Sequence, residues 1–181
     1  METNKLQFTK LQTEIFDFLC NYSDREFNQS FIAKELKVSS TAVSKALILL
    51  KKNNLVSIKK TGKMNLNLIQ LNREHSLVIH LKRAENLKKI YISGLVEHLE
   101  ENFPGSTIIL FGSYSKGEDV SKSDIDIAII GKKEKHLDLS NFEKFLKKEI
   151  IINFYSEIKG LSKEMKESLS NGMVLSGSME I

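Results

Sequence analysis

Apolar positions in the first 72 residues follow a helical period three times and then a strand pattern twice. The helical stripes run through residues 9–21, 30–36 and about 41–52, where apolar side chains recur every three or four positions. The two strand patterns cover residues 55–58 and 66–69, and Thr61-Gly62-Lys63 between them has the composition of a hairpin tip. The pattern predicts a small domain of three helices and a β-hairpin over residues 1–72.

Residues 73–103 continue with a helical pattern, which Phe103-Pro104-Gly105 stops. Beyond this point, short apolar runs alternate with helical patterns. Strands are predicted over 107–111, 125–130, 150–155 and 173–175, and helices over 140–148 and 162–170. Apolar runs of this kind are typical of a sheet that is covered on at least one side. The chain is therefore predicted to be α+β, with a helical linker at 73–103 and a small α/β domain with a mixed sheet at 104–181.

Composition limits the classes of protein to which the chain can belong. Of its 181 residues, 41% are hydrophobic, which is enough for a packed core, and 28% are charged. The single cysteine, Cys20, excludes an internal disulfide framework and a multi-cysteine zinc site. No apolar run reaches the length of a membrane span, and the N-terminus lacks a signal-peptide layout. We therefore expect a cytoplasmic protein with no membrane contact.

Charge is distributed unevenly along the chain. Residues 1–72 carry 11 basic and 6 acidic side chains, whereas residues 73–181 carry 16 basic and 17 acidic ones. A basic first part beside a neutral second part favours a polyanionic partner for the first part.

The first part resembles a winged helix-turn-helix domain, and its segment from Val38 to Leu47 is similar to the turn and recognition helix of small microbial regulators. The resemblance implies that the third helix enters a major groove and that the hairpin touches the nucleic-acid backbone, with DNA or RNA as the partner. The residues it indicates are Ser40, Thr41, Ser44 and Lys45 on the helix and Lys59, Lys60 and Lys63 on the hairpin. A structural or protein-binding winged helix with solvated lysines is the alternative. Winged-helix regulators commonly dimerise, which leaves a homodimer open.

Two polar motifs interrupt the apolar runs of the second part. Gly112 and Ser113 follow its first strand, and Asp124 and Asp126 occupy alternate positions where the second strand begins. Residues two apart in a strand face the same way, so the two carboxylates repel each other unless a cation lies between them. Mg²⁺ prefers such oxygen ligands together with substrate phosphates. Gly112 lets the backbone approach a phosphate, and Ser113 and Lys116 add a hydroxyl and a cation. The motifs predict a site for a metal-bound nucleoside triphosphate.

Other catalytic templates do not fit this chain. Gly112 and Gly117 have the separation of a P-loop, but Glu118 takes the place of its lysine. Neither Ser113 nor Ser115 has the flanking glycines of a nucleophile elbow. The four histidines do not cluster with carboxylates at the spacing of metal ligands.

The segment FGSYSKGEDVSKSDIDIAII is similar to the signature of the DNA polymerase beta-like nucleotidyltransferase superfamily, especially its minimal nucleotidyltransferases. The similarity is strong over residues 107–130 and looser from there to residue 181. It implies transfer of a nucleoside monophosphate, usually AMP, from a nucleoside triphosphate to a hydroxyl, with release of pyrophosphate. It also implies Asp124 and Asp126 as catalytic ligands of one or two Mg²⁺ ions. The nucleotide-binding residues would be Gly112, Ser113, Lys116 and Ser123.

The family places a third carboxylate on the following strand, where this chain has Asn153. An amide oxygen can ligate Mg²⁺, but it carries no charge and is not a base. Glu149 and Glu157 share the strand parity of Asn153, but each lies about 13 Å from it along the strand. We therefore expect the site to bind Mg-NTP and to transfer the nucleotide slowly or with the help of a partner.

Three functions remain open at this point. The first is a nucleotidyltransferase that acts on a hydroxyl of a protein or nucleic acid and binds nucleic acid through its winged helix. The second is a transcriptional regulator whose catalytically weak transferase domain senses nucleotide. The third is an antitoxin-like partner of a separate helical toxin, because minimal nucleotidyltransferases often accompany a small helical ribonuclease and modify it.

Overall fold

A computed structural model of the chain describes residues 6–61 and 66–178. The chain divides into two units, residues 1–78 and 79–181. Gly62 and Lys63 of the expected hairpin tip lie outside the described residues.

The first unit combines three helices with a three-stranded antiparallel sheet. The helices are α1 (Lys10–Asn21), α2 (Gln29–Glu35) and α3 (Ser40–Lys52). The strands β1 (Phe27–Asn28), β2 (Val56–Thr61) and β3 (Leu66–Leu71) pair in the order β1-β3-β2. Three helices closed by a two-stranded hairpin form a winged helix, so the predicted fold of this part is confirmed.

Polar side chains fix where these helices begin. Thr9 and Gln12 form a capping box, in which each side chain accepts a hydrogen bond from the backbone N–H of the other residue. Asn28 and Ser39 cap α2 and α3 by accepting a bond from the N–H group three residues later. Asn28 therefore sets the start of α2, which begins one residue before the helical pattern predicted over residues 30–36.

The segment expected to link the two parts forms two helices, α4 (Ser76–Ile92) and α5 (Leu95–Asn102). Gly94 separates them in the left-handed conformation, at φ +76°. Ile90, Leu95 and Leu99 are fully buried members of the main core of the second unit. Most of this segment therefore packs as part of the second unit.

The second unit is built on a four-stranded mixed sheet. Its strands are β4 (Thr107–Phe111), β5 (Ile125–Ile130), β6 (Ile150–Tyr155) and β7 (Met173–Ser176). They lie in the order β6-β5-β4-β7, with β5 and β6 parallel and the other neighbours antiparallel. The helices that follow the strands are α6 (Gly112–Lys116), α7 (Ser140–Leu146) and α8 (Lys163–Ser170). The predicted mixed sheet is confirmed.

The two faces of this sheet are covered by different elements. One face, which includes Ile108 and Ile127, packs against α4 and α5. The other face, which includes Phe111 and Ala128, packs against Leu169 of α8. Strand alternation places the side chain of Asp126 on the α8 face, at the end of the sheet where β4 runs into α6.

Among residues 6–61 and 66–178, no helix combines the length and the apolar composition needed to cross a bilayer.

Candidate active site

The carboxylate of Asp126 lies against the backbone of Gly112. The two residues are brought together because Asp126 pairs with Phe111 in the antiparallel register of β4 and β5. Gly112 has φ +72°, and a Cβ atom built on it would lie 2.2 Å from Oδ2 of Asp126. Only glycine leaves room for the carboxylate there and adopts this conformation without strain. The structure therefore places the Gly-Ser turn and one of the paired carboxylates at a single point.

Asp124 and Asp126 form the acidic pair that the sequence predicted. Asp124 is exposed and Asp126 is partly buried. Burial raises the pKa of the Asp126 carboxyl above its usual range, and the negative charge of Asp124 raises this pKa further. A cation between the two carboxylates would lower the pKa of Asp126 and relieve their repulsion.

The donor set of this acidic pair suits Mg²⁺. In the described part of the chain, no three or more His, Cys, Asp or Glu side chains come together as a metal cluster. Mg²⁺ does not need such a cluster, because one or two carboxylates, water and substrate phosphates commonly complete its octahedral shell. Asp124 and Asp126 therefore fit the role of metal ligands for a metal-bound nucleotide.

The turn that begins at Gly112 is fixed by a hydrogen bond inside it and by close packing against α4 at its end. The hydroxyl of Ser115 donates a hydrogen bond of 2.9 Å to the carbonyl of Gly112. Gly117 ends α6 at φ +76°, and a Cβ atom on it would lie 2.5 Å from the carbonyl oxygen of Ile79 in α4. The short helix between these two glycines carries Ser113 and Lys116.

The predicted nucleotide-binding residues are not placed alike. Ser113 and Lys116 are partly exposed, Ser113 directly after Gly112 and Lys116 in the last turn of α6. Ser123 is engaged within its own loop, because its hydroxyl accepts a hydrogen bond of 2.9 Å from the N–H of Val120. The structure thus places Gly112 and Asp126 in direct proximity, whereas the side chain of Ser123 closes a turn.

Asn153 lies on the same face of the sheet as Asp126 but two register positions further along. In the parallel register of β5 and β6, Asp126 pairs with Ile151, and Asn153 pairs with Ala128. Glu149 lies before this strand, where its carbonyl accepts a hydrogen bond of 2.8 Å from the N–H of Ile125. By the register of β5 and β6, Glu149 therefore lies opposite Asp124 and not opposite Asp126.

Tyr155 lies on the same face of the sheet as Asp126, four register positions further along β6, and the sequence analysis did not name it. Burial raises the pKa of its hydroxyl, and the negative charge of Asp126 raises it further. The hydroxyl also contacts Sδ of Met165 in α8 at 3.5 Å. Its shared strand parity with Asn153 was the available sequence signal, since both residues occupy alternate positions of β6.

A second candidate surface lies on the first unit. The predicted contact residues Ser40, Thr41, Ser44 and Lys45 are all exposed on α3. The predicted hairpin contacts Lys59 and Lys60 are exposed as well, although Lys59 Nζ lies 3.4 Å from Oε1 of Glu26. An exposed ion pair of this kind contributes little energy, so Lys59 remains available to a phosphate.

The exposed face of α3 extends beyond the residues that the sequence indicated. Ile48 is 69% exposed, and Lys51 is exposed one turn later. Together with Ser44, Lys60 and Asn67 they line part of a groove of about 250 Å³ between α3 and the hairpin. Helical spacing from Ser44 was the signal, because positions four and seven residues later share its face.

Comparison with known proteins agrees with the geometry of the second unit. Residues 92–179 match the family model described as "Nucleotidyltransferase domain". A Methanocaldococcus jannaschii protein, "Putative protein adenylyltransferase MJ1379", is 32% identical over 78 residues, which cover 42% of this chain and 72% of that protein.

Two solved structures of bacterial proteins also align with this chain. A ZitR variant from Lactococcus lactis is 18% identical, with a TM-score of 0.41 over 57% of this chain and 67% of its own. The adhesin competence repressor AdcR from Streptococcus pyogenes is 18% identical, with a TM-score of 0.42 over 56% of this chain and 71% of its own. The assignment of the first unit rests on its own topology. For the second unit, the family model, the archaeal relative and the position of the acidic pair agree, and the chain belongs to the nucleotidyltransferase domain family.

Proposed function

We propose that the second unit is a Mg²⁺-dependent nucleotidyltransferase that moves AMP from ATP to a hydroxyl of a protein or nucleic acid. The observation that carries this proposal is the contact of the Asp126 carboxylate with the backbone of Gly112, beside Asp124. The contact supports the proposal because it brings a carboxylate of the kind that Mg²⁺ prefers to the turn that would hold the triphosphate. The name of the archaeal relative, a protein adenylyltransferase, favours ATP as donor and a protein as acceptor.

Each residue of the site has a distinct task in this reaction. Gly112 allows the triphosphate to approach the backbone, and the Ser113 hydroxyl and the Lys116 ammonium bind phosphate oxygens. Asp124 and Asp126 would hold the metal, which when bound would neutralise charge on the triphosphate and lower the pKa of a bound hydroxyl. The oxygen of the acceptor hydroxyl forms a bond to the α-phosphorus while the bond to the bridging oxygen of the β-phosphate breaks. Pyrophosphate leaves with that electron pair, and the hydroxyl proton passes to water.

The test is incubation with α-labelled ATP, Mg²⁺ and a cell extract, followed by separation of the labelled macromolecules. We expect label to appear on one acceptor and to disappear with Asp124→Asn and with Asp126→Asn. Asp138→Asn is the matched control, because this exposed carboxylate bonds the N–H of Ser140 at the start of α7, away from the motif. Labelling that survives both motif variants would contradict the proposal. A labelled small helical protein would identify a toxin-like acceptor.

We further propose that the first unit binds nucleic acid through α3 and the hairpin. Support comes from Lys51 and Lys60, which line the groove beside α3, and from Lys45, which is exposed on the same helix. We expect Lys45→Gln and Lys60→Gln to weaken duplex binding in a salt-dependent way. Lys10→Gln is the control, since Lys10 is an exposed lysine at the start of α1 that contacts Glu14. Equal binding by all three variants would contradict this assignment.

A second candidate function is a regulator that senses nucleotide without rapid transfer. Asn153 favours it, because the position where the family has a third carboxylate carries an uncharged amide. Tight Mg-ATP binding without labelling of any acceptor would support this function over the first.

A further inference from the structure

A buried polar network surrounds the loop that joins the two halves of the candidate active site. The loop covers residues 117–124, from the end of α6 to the first of the paired aspartates. At its centre lies Asp119, whose side chain is 1% exposed. Lys82 and Asn86 contact Asp119 from α4. Lys148 contacts it from the short connection between α7 and β6. All three partners are buried.

The Asp119 carboxylate has a partner on each side. Oδ1 accepts hydrogen bonds from Lys82 Nζ and, at 2.7 Å, from Asn86 Nδ2. Oδ2 lies 3.3 Å from Lys148 Nζ. Buried charges of this kind are tolerated when they are paired and hydrogen-bonded, and replacing them with apolar groups often costs no stability. Their presence is therefore better explained by the conformation that they impose than by the stability that they add.

The partners from α4 also hold the backbone of this region. Lys82 Nζ donates a bond of 2.9 Å to the carbonyl of Asp119, and Asn86 Nδ2 donates one of 2.9 Å to the carbonyl of Tyr114. Tyr114 lies two residues after Gly112. The start of the loop and the nucleotide-binding turn are thus tied to one helix.

Lys148 holds the other end of the loop. Its ammonium group donates to the carbonyl of Val120 at 2.5 Å and to the carbonyl of Ser123 at 3.1 Å. Ser123 directly precedes Asp124. A single buried cation therefore fixes the backbone from which the first metal-binding carboxylate projects.

We propose that Lys82, Asn86 and Lys148 are positioning residues that set the spacing between the Gly112 turn and the Asp124–Asp126 pair. Two of the three come from outside the segment that matches the family, which begins at residue 92. Helix α4 is then a working part of the nucleotide site and not only a connection. The proposal rests on the nucleotide-binding role of the second unit, and it concerns binding of Mg-ATP rather than transfer.

The experiment compares Mg-ATP affinity with thermal stability in the full chain. Asn86→Ala and Lys148→Met should each raise the Kd for Mg-ATP about tenfold, the effect expected for losing a buried hydrogen bond that orders the site. Both should also speed amide hydrogen exchange over residues 117–124. Lys148→Arg should recover most of the affinity, since it keeps the charge and the donors.

The matched control is Ser106→Ala, which removes another buried side-chain bond to a backbone carbonyl, 2.7 Å from Ser106 Oγ to Phe103. It should lower the unfolding temperature and leave the Kd and the exchange of the loop unchanged. Parental Kd values for Mg-ATP in Asn86→Ala and Lys148→Met would overturn this proposal but not the transferase function. An equal loss of Mg-ATP affinity in Ser106→Ala would do the same. A parent that binds Mg-ATP but labels no acceptor would overturn the transferase function and leave this proposal standing. A parent that does not bind Mg-ATP would overturn both.

Discussion

Replacing Gly112 with alanine tests the contact on which the proposed site depends. The added Cβ atom would lie 2.2 Å from Oδ2 of Asp126, 3.1 Å from its Cγ and 3.3 Å from its Cβ. To restore an ordinary contact of 3.4 Å, the carboxylate oxygen has to move by about 1.2 Å. A misplacement of about 1 Å costs roughly 100-fold in rate. We therefore expect Gly112→Ala to lower kcat/KM about 100-fold, which corresponds to about 2.7 kcal/mol of transition-state stabilisation.

The same substitution also strains the backbone, and this effect must be separated from the displacement of Asp126. An L-residue in the left-handed conformation costs about 1–2 kcal/mol. For a domain of this size, each 1 kcal/mol lowers the unfolding temperature by about 4–8 °C. Gly105 supplies the control, because its φ is +73° and a Cβ atom there would meet nothing within 4 Å. Gly105→Ala should therefore lose similar stability and keep its activity.

The assay measures labelling rate, Mg-ATP affinity and unfolding temperature for the parent and both variants. The expected result is a similar loss of stability in the two variants and a loss of activity in Gly112→Ala alone. Parental kcat/KM in Gly112→Ala would refute the reasoning, because Asp126 would then tolerate displacement. Equal losses of activity in the two variants would refute it as well, since strain would account for both.

The remaining predictions concern charge and ligands. Asp124→Asn should lower the pKa of Asp126 towards its ordinary value by removing a neighbouring negative charge, as an NMR titration of the carboxyl carbon would show; an unchanged pKa would mean that burial alone raises it. Asn153→Asp should increase labelling by restoring a charged ligand, and no increase over an already active parent would contradict the family-based placement. Lys45→Gln and Lys51→Gln should each reduce the slope of log K against log salt for duplex binding by about 0.9; an unchanged slope would remove that lysine from the contact surface.

The sequence predicted the central strands of the second unit well, for a physical reason. Residues 107–111, 125–130 and 150–155 are mostly apolar, with Asp126 and Asn153 as single polar positions inside the second and third runs. The structure confirms the bounds of all three strands. The short strand β1 (Phe27–Asn28) was missed, because two residues cannot display a period. The helical pattern over residues 73–103 did not show how many helices the segment contains. In the structure α4 ends at Ile92, and Gly94 in the left-handed conformation begins α5.

The acidic pair was also predictable, whereas its supports were not. Asp124 and Asp126 are recognisable in the sequence because they occupy alternate positions at the start of a strand, which is a local signal. The contact of Lys82 with Asp119 joins residues 37 positions apart, and it depends on how α4 packs against the loop. From the sequence alone, a lysine in a helix is expected to be solvent-exposed, because charged side chains are nearly always exposed. Long-range ion pairs therefore become visible only in three dimensions.

The charges of Asp119 and Asp126 in the second unit are compensated in different ways. Asp119 receives compensation from within the protein, through two lysines and an amide. Asp126 is partly buried beside another carboxylate, and its raised pKa means that the folded state holds the carboxyl proton more readily than the unfolded chain does. The contribution of this group to the free energy of unfolding is therefore present below the pKa of the unfolded chain and falls as pH rises through the raised pKa. In the proposed function, a cation that arrives with the nucleotide would relieve the repulsion between the two carboxylates, so we expect Mg-ATP to raise the stability of the folded state.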